Sequence, residues 1–294
     1  MNKIITVLGG DARQSSLVER LCEKNVKIHA FGLPPWQTVP RVVFFDDWKE
    51  AVKGACAVIL PLPASPDGRR VHMPLMAETE APLIEEVLSL AKEISVIGGK
   101  FSPGIKALAE EKGVELFDFY EDEDFQQKNA LPTAEGAISI LMREIPRTVC
   151  GLSVAVTGFG RVAKALVELL IRMRANVTVA ARGDAALSAA QAMGCRTVRL
   201  SGTEAVVELV KGQAAILNTV PHWLFTDEVF KTMRTRPLMI DLASAPGGID
   251  GAAASVRGIR VIWALSLPGK YAPVTAGEII ADTVAKYLRE ELAI

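Results

Sequence analysis

The chain has 294 residues, of which half are apolar and 23% are charged, with a formal net charge of −1. This length suits one large domain or two ordinary ones, and the balanced charge indicates no basic face for nucleic acid or an anionic membrane. No charge-free apolar stretch is long enough to cross a bilayer, and the N-terminal apolar run is too short for a signal peptide. We therefore expect a globular protein that is not embedded in a membrane.

The cysteines lie far apart in the chain, form no C-x-x-C motif and are not close to the three histidines. This spacing predicts no zinc site and no disulfide framework, and a reducing cytoplasm is the simplest setting. The residues are Cys22, Cys56, Cys150 and Cys195.

The first half of the chain alternates apolar strand candidates with helical stretches. Ser102 followed by Pro103 predicts the start of one helix, and Gly113 predicts its end. Such alternation implies crossover connections and a mainly parallel sheet. The predicted strands are 4–8, 27–31, 42–45, 57–60, 94–97 and 114–117, and other predicted helices are 14–23 and 83–91.

An acidic stretch from Asp118 to Asp124 follows the last of these strands. We interpret it as a solvated connection, with a metal site as the alternative. A helix is then predicted from Thr133 to about Arg143, and it leads into the second half of the chain.

The second half has the pattern of a complete dinucleotide-binding fold, with six strands and intervening helices. Its predicted strands are 153–157, 177–181, 196–200, 214–220, 238–242 and 260–264. Thr275 and Glu278 have capping-box spacing, which predicts the start of the last helix.

We therefore predict an α/β protein with two doubly wound parallel-sheet domains and a cleft between them. The predicted N-terminal domain covers 1–130 and is closed by the C-terminal helix 275–294. A connecting helix covers 131–148, and a Rossmann domain covers 149–274.

A glycine motif marks the cofactor site that we predict in the second half. Gly158, Gly160 and Ala163 form the pattern G-x-G-x-x-A between a strand and an amphipathic helix. The glycines allow a tight turn and close approach of a pyrophosphate, and the helix N-terminus offers free N–H groups. A glycine-rich turn that binds nothing is the alternative. The predicted cofactor contacts here are Thr157, Gly158, Phe159, Gly160, Arg161 and Val162.

The end of the second strand of this half favours NADP over NAD. NAD-binding domains usually place an acidic side chain there, whereas this chain has Ala181 followed by Arg182. A guanidinium can bind a 2′-phosphate through charge-assisted hydrogen bonds. Asp184 either caps the next helix or contacts the ribose.

Two further strand ends are predicted to face the same crevice, since ligands bind beyond the carboxyl ends of such strands. Ordinary polar turns are the alternative. The predicted cofactor contacts in these segments are Asn218, Thr219, Val220, Pro221, Asp241, Ala243 and Ser244.

Candidate substrate residues lie at strand ends of the first half and near the helices that join the halves. Arg13 follows a second glycine turn and is predicted to bind a carboxylate, unless it forms only a surface ion pair with Asp11. Lys270 either pairs with a carboxylate, moves a proton or is an exposed loop lysine. Thr133 either contacts the substrate or is only an N-cap. The remaining substrate candidates are Pro63 and Ser65.

The histidines give little indication of a role. His29 and His72 have no companions in the sequence that suggest chemistry. His222 follows Pro221, close to the predicted nicotinamide end of the site, but a lone histidine is more often structural or exposed.

The chain resembles the dipicolinate synthase A-subunit family over nearly its full length. The segments that carry the resemblance are GGDAR at 9–13, LPLP at 60–63, PTAEG at 132–136, GFGR at 158–161, NTVP at 218–221, DLAS at 241–244, LPGK at 267–270 and TAG at 275–277. Together they are much more specific than the glycine motif alone.

This resemblance implies NADP-dependent oxidation of a dihydrodipicolinate-type intermediate, made from the lysine pathway, to the aromatic dicarboxylate dipicolinate. It also implies a flavoprotein-like partner, the B-subunit of the synthase, and a role in the cytoplasm of the mother cell during sporulation. By analogy with cleft-forming dehydrogenases we expect a homo-oligomer. The alternatives are another NADP-linked dehydrogenase of a hydroxy or amino acid, or a non-catalytic NADP-binding scaffold or sensor.

In the implied reaction the substrate ring becomes aromatic as hydride leaves for the nicotinamide. The protein then has to orient the substrate, accept a proton and bind two carboxylates. We expect Arg13 and Lys270 to bind carboxylates, and Asp11, Glu135 or a water chain to take the proton.

The domain order is also similar to that of D-2-hydroxyacid and alanine dehydrogenases. The hydroxyacid enzymes use a histidine paired with a carboxylate near the end of the chain. Here no histidine follows His222, and Lys270 occupies roughly that region. This difference counts against oxidation of a hydroxyacid.

Overall fold

A computed structural model describes residues 3–23, 26–34, 40–77, 80–91 and 93–292. The chain forms two compact units. Unit 1 contains Met1–Asn129 and Ala272–Ile294, and unit 2 contains Ala130–Tyr271. Each unit has its own sheet and its own hydrophobic core.

Twelve strands lie within the described residues, six in each unit. They are β1 Ile4–Leu8, β2 Lys27–Phe31, β3 Val42–Phe44, β4 Ala55–Ile59, β5 Ser95–Gly98, β6 Leu116–Asp118, β7 Ser153–Thr157, β8 Asn176–Ala181, β9 Arg196–Arg199, β10 Ala215–Asn218, β11 Leu238–Asp241 and β12 Val261–Trp263.

Twelve α-helices occur in the same described part of the chain. They are α1 Ala12–Cys22, α2 Trp48–Val52, α3 Ile84–Leu90, α4 Pro103–Lys112, α5 Glu123–Glu144, α6 Arg161–Arg172, α7 Asp184–Ala192, α8 Thr203–Val210, α9 Asp227–Thr232, α10 Gly251–Val256, α11 Leu267–Tyr271 and α12 Pro273–Leu292.

Both sheets have the doubly wound strand order of dinucleotide-binding folds. The order is β3-β2-β1-β4-β5-β6 in unit 1 and β12-β11-β10-β7-β8-β9 in unit 2. Every pairing between these strands is parallel. The predicted α/β class with two doubly wound parallel sheets is therefore confirmed.

In unit 1, apolar side chains cover both faces of the sheet. One face packs against α1 and α12, with Leu17 and Val284 fully buried. The other face packs against α2, α3 and α4, with Ala51 and Leu88 fully buried. Burial on both faces explains why β1 and β4 are nearly continuous apolar runs rather than alternating ones.

Unit 2 has the same layered arrangement. The second half of α5 and the buried face of α6 cover one side of its sheet, with Leu141 and Leu166 fully buried. Helices α8, α9 and α10 cover the other side, where Phe225 and Ile216 are fully buried. The carboxyl ends of the strands are thereby left available for a ligand.

Helix α4 begins and ends as the sequence predicts. The hydroxyl of Ser102 accepts a hydrogen bond from the amide of Ile105, Pro103 is the first helical residue, and Gly113 ends the helix in the left-handed region at φ 67°. Each of these signals acts within one helical turn, so the sequence is sufficient to locate them.

Helix α5 corrects the prediction for the connection between the halves. It begins at Glu123, ten residues before Thr133, and runs through Pro132. Of the acidic residues predicted as a solvated connection, Glu121, Glu123 and Asp124 are exposed, whereas Asp118 accepts three backbone hydrogen bonds. Asp122 accepts one from the first turn of α5. Packing explains the longer helix, since Phe125 is buried in unit 1 and Leu141 is buried in unit 2.

Helix α12 also begins earlier than predicted. It starts at Pro273, so Thr275 lies inside the first turn and is not the N-cap of a capping box. A proline at the first helical position is favourable because its missing N–H has no partner there anyway. The predicted end of this helix at 294 includes residues 293 and 294, which lie outside the described residues.

The close packing of α12 on α1 leads to a test of unit 1. A Cβ atom on Gly277 would overlap the carbonyl oxygen of Arg13 and approach Cβ of Ser16 at 2.7 Å. Glycine to alanine in a helix is normally stabilising, by about 0.5–1 kcal/mol. Here we expect Gly277→Ala to lower the free energy of unfolding by about 1–3 kcal/mol, as overpacking does.

Urea denaturation monitored by circular dichroism measures this effect. The matched control is Gly104→Ala in α4, where the nearest atom to the new Cβ is the Ser102 hydroxyl at 4.0 Å. The control should unfold at the same or a higher urea concentration than the wild type. A stabilised Gly277→Ala protein would show that α1 and α12 do not approach this closely.

Candidate functional site

An open crevice lies at the carboxyl ends of β7, β8 and β10 in unit 2. Its volume is about 650 Å³, within the range of small-molecule and cofactor sites. Polar and apolar side chains both contribute to its lining. The lining residues are Gly158, Phe159, Ala181, Arg182, Gly183, Ala186, Leu200, Gly202, Thr203, Val206, Val220, His222, Trp223, Leu224 and Thr226.

The glycine motif forms one wall of this crevice. Gly158 has φ 88°, and a Cβ atom there would overlap the hydroxyl of Thr219. That hydroxyl donates a hydrogen bond to the carbonyl of Thr157 at 2.7 Å, which ties the ends of β7 and β10 together. Only glycine combines this backbone conformation with this close approach.

The start of α6 provides hydrogen-bond donors for a phosphate. Gly160 is the N-cap residue and has no side chain to occupy the first amides, and no atom lies within 4 Å of the position of its absent Cβ. Ala163 is fully buried, which lets the helix lie close to the sheet. Exposed N–H groups at a helix N-terminus can bind an anion.

Arg182 follows β8 and is exposed at the edge of the crevice. Asp184 is the first residue of α7, whose N-cap is Gly183, and its side chain makes no capping hydrogen bond. The carboxylate instead forms an ion pair with the guanidinium of Arg199. The interpretation of Asp184 as a helix cap is therefore wrong.

Arg199 lies beside the crevice without lining it, and the sequence alone did not indicate this position. It is the last residue of β9 and pairs in register with Ala181. Its Nη1 donates to the carbonyl oxygen of Arg182 at 3.1 Å. Two guanidinium groups, those of Arg182 and Arg199, therefore lie at one edge of the sheet. The sequence did place Arg199 near the end of the third predicted strand of this half. That strand end lies at the same edge of the sheet as Arg182.

A buried polar network lies beneath the crevice. The hydroxyl of Thr157 donates to Oδ1 of Asn218, and Nδ2 of Asn218 donates to Oδ1 of Asp241 at 2.8 Å. The two Asp241 oxygens also accept from the amides of Ala243 at 3.1 Å and Gly248 at 2.8 Å. The network joins the ends of three neighbouring strands, β7, β10 and β11.

The same network shapes the loop after β10. Asn218 accepts from the amide of Val220 at 3.1 Å and donates to its carbonyl at 3.0 Å. This side-chain pairing ends β10 at Asn218, whereas the prediction extended the strand to 220. The side chains of Thr157, Asn218 and Asp241 are thus hydrogen-bonded in a chain, from Thr157 to Asn218 and from Asn218 to Asp241.

The other predicted cofactor residues of unit 2 differ in exposure. Thr219, Phe159 and Val162 are half-buried, Ala243 is buried, and Pro221, Arg161 and Ser244 are exposed. The carbonyl of Ala243 accepts a hydrogen bond from Nε1 of Trp263 at 3.0 Å, which holds the loop after β11.

In unit 1, Asp11 and Arg13 form a bidentate pair at the end of β1. Nε and Nη2 of Arg13 donate to the two Asp11 oxygens at 2.9 and 2.8 Å, and Asp11 also accepts from the Arg13 amide as the N-cap of α1. The Arg13 side chain is only 6% exposed and also donates to the carbonyl of Leu62. The ion pair that the alternative predicted is therefore present, but it is largely buried rather than on the surface.

Asp11 is held in its ionised form. Burial acts to raise the pKa of its carboxyl group, but the hydrogen bonds and charge of Arg13 outweigh it, and the pKa lies below its usual value. A carboxylate in this state is a weak proton acceptor at neutral pH.

The loop between β4 and α3 contains Pro63, Ser65 and His72. Pro63 follows a cis peptide bond, and the buried Ser65 donates to Oδ1 of Asp67 at 2.9 Å. The carbonyl of His72 accepts from the amide of Gly10 at 2.9 Å, which anchors the loop over the end of β1. Burial lowers the pKa of His72, and the charges of Asp11 and Arg13 act on it in opposite directions, which the sequence alone did not indicate.

Thr133, Glu135 and Lys270 belong to unit 2 rather than to unit 1. Thr133 lies in the middle of α5 and is not an N-cap, and Glu135 is exposed on the same helix. Lys270 is exposed but lies in the short helix α11, not in a loop. Helices α5 and α11 are in contact at Gly136, where a Cβ atom would lie 3.0 Å from that of Leu267.

Metal-binding clusters and membrane spans are both absent from the described part of the chain. Within residues 3–23, 26–34, 40–77, 80–91 and 93–292, no three His, Cys, Asp or Glu side chains are grouped to hold a metal ion. No helix in those ranges has the length and apolar character needed to cross a membrane. The four cysteines are free thiols.

Comparison with known proteins places the chain in a family. Residues 4–120 match the N-terminal domain family of the dipicolinate synthase A-subunit. The chain is 31% identical to the dipicolinate synthase A-subunit of Bacillus subtilis, over 97% of this chain and 96% of that protein. It also matches the crystal structure of the dipicolinate synthase A-subunit from Bacillus halodurans with a TM-score of 0.90, at 28% identity over 99% of both chains.

A more distant match concerns the fold alone. D-lactate dehydrogenase from Escherichia coli is 14% identical to this chain and has a TM-score of 0.65, with 99% of this chain and 97% of that chain covered. The resemblance found in the sequence is thus confirmed by a full-length relative, and the chain belongs to the dipicolinate synthase A-subunit family.

Proposed function

We propose that this protein is an NADP-dependent oxidoreductase that acts with the B-subunit of the synthase. It oxidises a dihydrodipicolinate-type intermediate to dipicolinate during sporulation. Membership of the dipicolinate synthase A-subunit family supports the substrate class. The observation that carries the cofactor assignment is the crevice of unit 2, which combines the glycine motif with an arginine at the end of β8.

The residues of the crevice fit a nicotinamide dinucleotide. The uncapped start of α6 and the open space at Gly160 suit a pyrophosphate, and the volume of about 650 Å³ suits a cofactor. When bound, NADP+ would supply a hydride acceptor. The loops that the buried network holds, at Val220 and Ala243, would then orient the nicotinamide end.

Arg182 and Arg199 support NADP rather than NAD. A 2′-phosphate carries negative charge and acceptor oxygens, and guanidinium groups bind such groups by charge-assisted hydrogen bonds. Arg182 is exposed at the crevice. The guanidinium of Arg199 donates a hydrogen bond to the backbone carbonyl of Arg182. We assign Arg182 as the direct phosphate ligand and Arg199 as a second cation at the same edge.

Lys270 is the proposed ligand for a carboxylate of the substrate, because its side chain is exposed. The guanidinium of Arg13 is already bound to Asp11 and to the carbonyl of Leu62. We therefore assign Arg13 the role of holding Asp11 and the loop after β4 rather than that of a primary substrate ligand.

The test is hydride transfer by the purified protein together with the B-subunit, followed as NADPH absorbance when the dihydrodipicolinate-type intermediate and NADP+ are added. We expect turnover by the wild type and none by Gly160→Val. No atom lies within 4 Å of the Gly160 Cβ position, so the new side chain would fill the proposed pyrophosphate space without disturbing the fold. The variant should therefore stay folded, with a melting temperature lowered only slightly because valine is a poorer N-cap residue than glycine.

Two other outcomes would replace this proposal. Turnover of a hydroxy or amino acid by this chain on its own would favour a different NADP-linked dehydrogenase. Tight NADPH binding without hydride transfer, even when the B-subunit is present, would favour a non-catalytic scaffold or sensor.

A further inference from the structure

A second cavity of unit 2 lies at the amino ends of β11 and β12. Its volume is about 290 Å³, less than half that of the cofactor crevice, so it suits one small molecule rather than a dinucleotide. The connection from α9 to β11 and the connection from α10 to β12 form it. Because the crevice lies at the carboxyl ends of the strands, the two sites occupy opposite edges of the same sheet.

Backbone hydrogen bonds hold both connections in place. The amide of Met233 donates to the carbonyl of Phe230 at 3.2 Å, and the amide of Gly258 donates to that of Ser255 at 3.0 Å. Phe230 and Ile259 line the cavity and also belong to the buried core of unit 2. The cavity is therefore preformed, so a ligand has to order little of the chain when it binds.

Three cations line this cavity. They are Lys231 near the end of α9, Arg236 before β11 and Arg257 after α10. The guanidinium of Arg236 reaches across to the other connection, since its Nη1 lies 3.3 Å from the position of a Cβ atom on Gly258. None of the described residues that line the cavity is acidic. The lining thus concentrates positive charge in a chain whose formal net charge is −1.

A carboxylate beside the cavity, that of Asp227, neutralises part of this charge. It pairs with Nζ of Lys231 at 2.8 Å and with Nη2 of Arg257 at 2.7 Å. The hydrogen bonds from Lys231 and Arg257 hold the pKa of Asp227 below its usual value, so the carboxyl group stays ionised.

Arg236 is not engaged in this way. Its guanidinium forms no hydrogen bond or ion pair with any residue in the part of the chain that the structure describes. Three cations and one carboxylate leave an excess of two positive charges at the cavity. The donors of Arg236 are therefore available to a ligand that carries two negative charges.

We infer that this cavity binds a small dianion, with Arg236 as its primary ligand. A guanidinium binds the oxygens of a phosphate or a carboxylate through two parallel charge-assisted hydrogen bonds. Phosphate compounds and small dicarboxylates share this chemistry. The site lies away from the cofactor crevice and does not depend on what the crevice binds.

Isothermal titration calorimetry with inorganic phosphate tests the site. The full chain carries Gly160→Val and Arg182→Ala, which remove the two proposed phosphate positions of the crevice. The titration is made at constant ionic strength and at mildly alkaline pH, where phosphate is mainly a dianion. We expect one ion to bind per chain. Arg236→Gln should weaken this binding about tenfold to a hundredfold, through the loss of hydrogen bonds between charged groups.

Arg234→Gln is the matched control. Arg234 is an exposed arginine of the same connection that does not line the cavity. Both substitutions remove one positive charge from the same loop, but Arg234→Gln should leave the affinity nearly unchanged because water and salt screen a charge outside the cavity. Both variants should keep their melting temperature, since both side chains are exposed.

Dipicolinate is the second probe, titrated under the same conditions. Tighter binding of dipicolinate would assign the cavity to a dicarboxylate, and tighter binding of phosphate would assign it to a free or esterified phosphate. Either result supports the site when Arg236→Gln weakens the binding and Arg234→Gln does not. Binding of neither probe, or an equal loss of affinity in the two variants, would overturn the inference and leave the proposed function intact.

Discussion

Arg182→Ala is expected to weaken NADPH binding about tenfold to a hundredfold and to leave NADH binding unchanged. A hydrogen bond to a charged group contributes about 1.5–3 kcal/mol, and NADH lacks the 2′-phosphate that would receive it. Because Arg182 is exposed, its loss should not destabilise unit 2. Isothermal titration calorimetry with both cofactors measures the two affinities directly.

Neighbouring residues give the controls for this experiment. Arg172→Ala removes an exposed arginine at the end of α6 and should change neither affinity. Asp184→Asn removes the carboxylate that pairs with Arg199, so that guanidinium becomes available and NADPH binding should strengthen. Equal affinity for NADPH and NADH, unmoved by Arg182→Ala, would contradict the assignment of NADP.

Asp241→Ala is expected to lower the free energy of unfolding by about 3–5 kcal/mol. The Asp241 side chain is buried, and its removal leaves the amides of Ala243 and Gly248 without an acceptor and Nδ2 of Asn218 with only the carbonyl of Val220. Each buried donor that loses its partner costs about 1–3 kcal/mol, so the two backbone amides account for most of this loss. Chemical denaturation of the full chain measures the change.

A surface carboxylate of the same unit is the control for Asp241. Glu208 forms an ion pair with Lys211 in which both side chains are more than 60% exposed. Glu208→Ala should cost less than about 1 kcal/mol, since water already screens this pair. An Asp241→Ala protein as stable as Glu208→Ala would mean that water can replace the network, and that it does not hold the loops of the crevice.

Helix boundaries show where local signals are sufficient and where they are not. The start and end of α4 were predicted because Ser102 and Gly113 act on amides within one turn. The start of α5 was missed because the acidic residues were interpreted as a solvated connection, whereas burial of Phe125 in a core outweighs this local preference. Helix α2 was missed because its five residues are too few to show a period.

The sequence by itself determined the two α/β halves, the glycine turn at Gly158 and the position of Arg182. These features depend on residues that are neighbours in the chain, and the family resemblance depends on short segments of the same kind. Only the tertiary structure decided which distant side chains meet. Arg199 reaches the backbone of Arg182 because β8 and β9 pair in parallel, and the backbone of His72 reaches Gly10 because a long loop returns to the end of β1. Such contacts depend on strand register and loop path, which are set by packing of the whole unit rather than by any local pattern.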